Sequence, residues 1–140
     1  ISLTYFLEDS MFAKYNDNPA AICLGIYLLG AIFYVFQLLF MAEQWLANEM
    51  IDDPEAIGVT RVLGFAYLGY ILGMILSFIN GPDGQKFYFI SLLVAQVGTF
   101  LNLWHQQIFV SNPTVLDDAI IVSVLTGLFL IGYFRIKTRL

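Results

Sequence analysis

Four long hydrophobic stretches divide this chain, and clusters of Gly, Pro, Asn and Asp separate them. The first runs from about residue 20 to 42, after Asn18-Pro19. The second covers about 60 to 79 and stops at Asn80-Gly81-Pro82-Asp83-Gly84. The third is 87 to 110, closed by Ser111-Asn112-Pro113, and the fourth is about 115 to 134. Each approaches the roughly 20 apolar residues that a helix needs to cross hydrocarbon, and the turn-formers supply the breaks. The pattern predicts an all-α integral membrane protein, an antiparallel four-transmembrane-helix bundle over residues 19–140. In residues 1–18, Leu3, Phe6, Leu7 and Met11 recur at helical spacing, with Glu8, Asp9 and Lys14 elsewhere. That predicts a short N-terminal interfacial helix on the membrane or on a partner.

Each span has a face of small or polar residues. In the first, Cys23, Tyr27, Gly30, Tyr34, Gln37, Met41 and Gln44 alternate spacings of four and three, the 3.5-residue period of left-handed helix packing. The second places Ala66, Gly69, Tyr70, Gly73 and Ser77 together, with a Gly69-x-x-x-Gly73 pair that lets backbones approach. The fourth offers Ala119, Ser123, Thr126, Gly127 and Tyr133. The third carries the most polar stripe: Ser91, Ala95, Gly98, Thr99, Asn102, His105 and Gln106 fall within about a third of the helix circumference, and Gln96 lies outside that arc. A polar stripe in hydrocarbon must face protein, ligand or water. The four faces together predict a bundle interior, with Gly30, Tyr34, Gln37, Gly69, Gly73, Gly98 and Gly127 as packing positions. Gln37 and Gln96 are expected to bond between helices.

Composition agrees with a bilayer. The chain is 59% hydrophobic and 12% charged, where soluble domains run about 45–50% and about 25%. The single cysteine, Cys23, rules out an intrachain disulfide and a cysteine metal cluster. A net charge of −5 argues against nucleic acid. With four spans, Lys14, Lys86, Arg135, Lys137 and Arg139 share one side with both termini, and only Arg61 lies on the other. By the positive-inside pattern both termini face cytoplasm, stroma or matrix. The acidic loop 43–59, with Glu43, Glu49, Asp52, Asp53 and Glu55, faces the opposite space as a solvated segment. Trp45 and Trp104 are expected near that side as interfacial anchors. The chain opens on Ile1, as a processed product or a piece of a longer chain would. Arg61-Val62-Leu63-Gly64, opening the second span, resembles the corresponding stretch of small four-helix membrane proteins of the DoxX-like type; the resemblance covers four residues and implies no function.

The candidate chemistry is sparse. No Asp, Glu, Lys or Arg lies mid-span, which argues against a proton relay or ion-coupled carrier. No nucleophile–base pair or metal set converges on one face, so the chain reads as non-catalytic. His105, the only histidine, could be a single axial ligand to chlorophyll or a hydrogen-bonded structural residue, with Asn102 and Gln106 beside it in either case. The leading expectation is an accessory subunit of a large energy-converting membrane complex, most readily a photosynthetic one in a thylakoid membrane. It would pack against other integral subunits, lipids, chlorophyll and carotenoid. A subunit of a mitochondrial respiratory or ATP-synthase complex is the alternative, and a transporter or channel for a neutral solute is the third reading.

Overall fold

A computed structural model describes residues 11–140. They form a 3₁₀ turn (Met11–Tyr15), α1 (Asn18–Phe40), α2 (Ala42–Asn48), α3 (Pro54–Asn80), α4 (Lys86–His105) and α5 (Leu116–Ile136), with no strand among them. α4 continues as a π-helical turn, Gln106–Val110. Four helices are long and apolar enough to cross a membrane, which fits an integral membrane protein. The expected interfacial helix falls mostly on residues 1–10, outside the described residues.

Local chemistry sets the boundaries. Asp17 caps α1 by accepting the Ala20 N–H at 2.9 Å, and Pro19 occupies the first turn, where no amide is needed. Arg135 pairs with the same carboxylate at 2.9 Å. That hydrogen bond first, and the Ala20 amide second, hold the Asp17 carboxyl below its usual pKa. α1 ends two residues earlier than expected, where Met41 leaves helical geometry, and α2 follows at once. α3 starts six residues earlier than expected. Asp53 accepts the Glu55 N–H at 2.9 Å and Pro54 opens the helix. Most of the expected acidic loop is therefore helix, and only about residues 49–53 link α2 to α3. The Asp-Pro dipeptide that reads as a loop is here a cap and first turn.

α1 is the central helix, packed along both α3 and α5, and α4 packs along α5. α3 and α4 meet chiefly through side chains. Arg139 gathers one end of the molecule: its guanidinium pairs with Asp83 at 2.8 Å and donates to the Lys14 and Tyr15 carbonyls. At the other end the Thr114 hydroxyl donates to Glu49 at 2.7 Å, joining the two opposite connections.

The core is Tyr15, Leu24, Tyr27, Met74, Phe78, Phe89, Leu92, Phe129 and Ile136 with Ala20 and Ala21. Tyr15 is fully buried although it lies outside the spanning helices. Its hydroxyl is 2.5 Å from Ser77 Oγ, and its ring is 4.7 Å from that of Phe78. Burial pushes the phenol up to about 12, against the opposing pull of the Ser77 bond and Arg139. Outward, the spanning helices keep wide apolar faces, among them Leu29, Phe33, Val62, Phe65, Val94 and Val124. Water would not tolerate that much contiguous apolar surface, whereas lipid does.

Candidate functional site

α4 is the least apolar of the four spanning helices, with a mean hydropathy of 1.5 against 2.1 to 2.2 for the others. Its polar residues divide between two faces. Only Phe89, Leu92 and Gln96 are buried. Gln96 joins three helices: its amide donates to Thr126 Oγ1 on α5 at 2.9 Å, and its carbonyl accepts from the Tyr27 hydroxyl on α1 at 3.0 Å. Thr126 in turn donates to the Val122 carbonyl at 2.6 Å. Every polar atom of this link has a partner, which hydrocarbon requires. Two further bonds hold the flanks of the same face. Thr99 meets the Tyr67 hydroxyl at 2.7 Å, and the Trp104 indole donates to Ser123 at 2.9 Å.

The other face is open. Ser91, Gly98, Asn102 and His105 are all exposed. The expected polar stripe therefore lies largely on the outside of the described molecule, and the interior line runs through Gln96, which the stripe excluded. The reason is the neighbour of α4. α5 takes up the side that carries Phe89, Leu92 and Gln96, so the arc centred near Gly98 turns away. Ser91 meets part of its own need by donating to the Phe87 carbonyl at 2.9 Å. The His105 ring lies 5.2 Å from Phe109, tilted by 35°.

The three candidate ligand contacts are placed as follows. His105 and Asn102 share the exposed face, and Gln106 is half-buried at the start of the π turn. π turns are rare, and they recur at functional sites. Here the turn ends at Ser111, in left-handed geometry at φ 55°. Next to Gln106, the Gln107 Oε1 atom is buried with no hydrogen-bond partner among the described residues. Chemically, this end of α4 presents an accessible imidazole beside an aromatic ring, with the Asn102 amide on the same face. It could ligate one pigment metal or bond to a neighbouring chain. No group of three metal-ligating side chains occurs among the described residues.

The packing candidates separate in the same way. A Cβ on Gly30 would lie 2.7 Å from Leu125, and one on Gly73 would lie 2.3 Å from the Tyr88 ring. A Cβ on Gly69, Gly98 or Gly127 would meet nothing within 4 Å, so the chain makes no close approach at these three. Tyr34 stands edge-on to Tyr67 at 5.7 Å and to Trp45 at 6.4 Å, which places Trp45 in an aromatic cluster. Gln37 is half-buried, and its backbone carbonyl accepts the Met41 N–H that closes α1. The sequence reading did not single out Tyr15, Tyr88, Gly132 or Arg139 as packing residues. Gly132 was findable, since it shares a helix face with Phe129 and Ile136. Tyr15 carried no such signal, because its partner Ser77 is 62 residues away.

No family model matches the chain, and neither does any curated protein or solved structure.

Proposed function

We propose that this protein is a non-catalytic subunit of a larger membrane assembly, and that a helix of a neighbouring subunit covers the outer face of α4. The observation that carries this reading is the exposed line Ser91, Gly98, Asn102 and His105 on a helix otherwise built for hydrocarbon. Polar groups facing lipid are costly. A partner helix would satisfy Asn102 and His105, and Gly98 would let its backbone come close. The neutral-solute carrier reading has less support. The polar stripe of α4 that could line a path faces outward, and the enclosed space among Tyr27, Tyr67, Tyr70 and Leu92 is about 10 Å³, near the room of one water.

Within this reading the bundle is antiparallel. The Arg139 contacts at one end and the Glu49–Thr114 bond at the other support that arrangement. Both termini face stroma, matrix or cytoplasm, by the excess of Lys and Arg on their side. The assembly is a photosynthetic one, and His105 is an axial ligand to chlorophyll. The accessible imidazole, with the Phe109 ring 5.2 Å away, supports this over a respiratory or ATP-synthase complex.

The test is to extract the tagged chain from native membranes in mild detergent. Co-migration with a larger pigmented assembly, lost in the Gly98→Phe variant while the isolated chain stays helical, is the expected result. A chain that purifies alone and colourless ends the proposal. His105→Leu should remove one pigment's absorption from the assembly. Unchanged spectra would end the pigment reading and leave the helix contact standing.

A further inference from the structure

A second feature of the exterior stands apart from whatever covers α4. Between α1 and α3 runs an apolar groove of about 470 Å³, within the range of small-molecule sites. Val35 and Ile71 form its buried floor, and Phe36, Phe40 and Phe65 are exposed walls. Leu39 seats against Gly64, where a Cβ would lie 2.8 Å from its side chain, so the two helices close under the groove. Arg61 lies at one end of the lining, and it is the only charged residue there.

Arg61 is exposed and makes no ion pair among the described residues. That is notable at an end of the molecule that carries Glu43, Glu49, Asp52, Asp53 and Glu55. The dimensions identify what the guanidinium awaits. Along α3, Arg61 to Ile71 is ten residues, about 15 Å at the helical rise. That is half of a hydrocarbon core about 30 Å thick. The stretch from Arg61 to the end of α3 at Asn80 spans about one such core, which puts Arg61 at the membrane boundary. The groove is thus one leaflet deep, apolar along its length, and cationic at its mouth. A crossing helix would need the full thickness, whereas a single acyl chain needs one leaflet.

We propose that this groove binds an anionic phospholipid, with an acyl chain between α1 and α3 and the headgroup phosphate on Arg61. A guanidinium fork pairs with phosphate through two parallel hydrogen bonds. A zwitterionic lipid offers the same phosphate but carries its own cation, so the site should discriminate between the two.

The experiment is native mass spectrometry of the full chain released from nanodiscs of equimolar phosphatidylglycerol and phosphatidylcholine. The parent should retain phosphatidylglycerol over phosphatidylcholine by roughly tenfold, in keeping with a charge-assisted, two-pronged pair. Arg61→Gln should bring that ratio near one with an unchanged thermal midpoint, because Arg61 holds nothing else in the fold. Ile32→Trp, which fills the deep end, should strip both lipids, whereas Lys86→Gln should leave the ratio as in the parent. An unchanged ratio in Arg61→Gln overturns the proposal. So does a dimer that survives Arg61→Gln and dissociates with Ile32→Trp, since the groove would then hold a second copy of the chain.

Discussion

Along the α1–α5 seam, aliphatic side chains enter glycine notches. Leu24 lies where a Gly132 Cβ would sit, 2.4 Å away, and Leu125 crowds Gly30 at 2.7 Å. Along the α3–α4 seam, tyrosines bridge two helices that stand further apart. The Tyr88 ring rests over Gly73 and its hydroxyl donates to the Tyr70 carbonyl at 2.6 Å, while Tyr67 reaches Thr99. The first seam is held by dispersion at close range, the term that helix association in lipid relies on most. The second forgoes close backbone approach and gains hydrogen bonds that no water competes for. Interhelical bonds of that kind measure about 0.6 kcal/mol on average in a membrane. The close seam should therefore be the rigid one, and the bridged seam the one that tolerates change.

The severest break should come at Gly132. Leu24 and Gly132 are both buried, so Gly132→Val has nowhere to place the three added carbons of its isopropyl group. Overpacking of that kind costs about 1–3 kcal/mol, and the upper end is expected here. Gly73→Val should cost less, about 1–2 kcal/mol, because Tyr88 is half-buried and its ring can slide outward. Reversible unfolding in mixed micelles, read by far-UV circular dichroism, measures both. Equal losses at the two positions would erase the distinction between the seams.

Tyr15 extends the comparison beyond the spans. It joins the 3₁₀ turn to α3 as Tyr88 joins α4 to α3, through a ring contact and a hydroxyl bond. Its folded pKa of about 12 lies above the phenol's ordinary 10.0, so the phenol ionises more readily once unfolded. The folded state keeps that proton when the unfolded state has lost it. Tyr15's contribution is thus fully present below pH 10 and is lost as pH rises toward 12. One unit above the unfolded pKa, the loss is about 1.4 kcal/mol. Comparing the parent with Tyr15→Phe at pH 8 and pH 11 isolates it: the two chains should draw closer in stability at the higher pH. A constant gap would mean that Tyr15 does not titrate as a buried phenol.

Gln96 is bonded to both α1 and α5, through Tyr27 and Thr126. Gln96→Leu keeps the volume and strands the Tyr27 hydroxyl, while Thr126 retains its bond to Val122. A loss of about 1 kcal/mol is expected, and Tyr27→Phe together with Gln96→Leu should cost no more than Gln96→Leu alone. Additive losses would show that the two side chains act separately.

The same residues show what the sequence could carry. The spans were legible because hydrophobic length and turn-formers are local signals, and their ends moved furthest where Asp53-Pro54 proved to be a cap. Gly30 and Gly73 were legible as packing glycines, as was Gln96 as an interhelical bond. Which face of α4 turned inward was not. The helix carries polar groups on both sides, and its direction is set by α5, the side chains of which are far along the chain. Tyr15 was hidden for the same reason: a lone tyrosine in a polar segment gives no sign of a serine 62 residues on.

Gly69 sharpens the comparison with the smallest effect. In the sequence it is the twin of Gly73, one helical turn away and in the same Gly-x-x-x-Gly pair. In the structure a Cβ there meets nothing within 4 Å, and the residue is exposed. A methyl added at Gly69 has no neighbour to strike, and the helix gains the better propensity of alanine, at most about 1 kcal/mol in water. In a bilayer, where α3 is already hydrogen-bonded along its length, that gain should shrink. Gly69→Ala is expected to shift the micelle unfolding free energy by under ~0.5 kcal/mol, against the loss of about 1–2 kcal/mol at Gly73. If the two glycines proved equally sensitive in the isolated chain, the bridged seam would have to be a close-packed one, because only a nearby backbone would make Gly69 intolerant of a methyl.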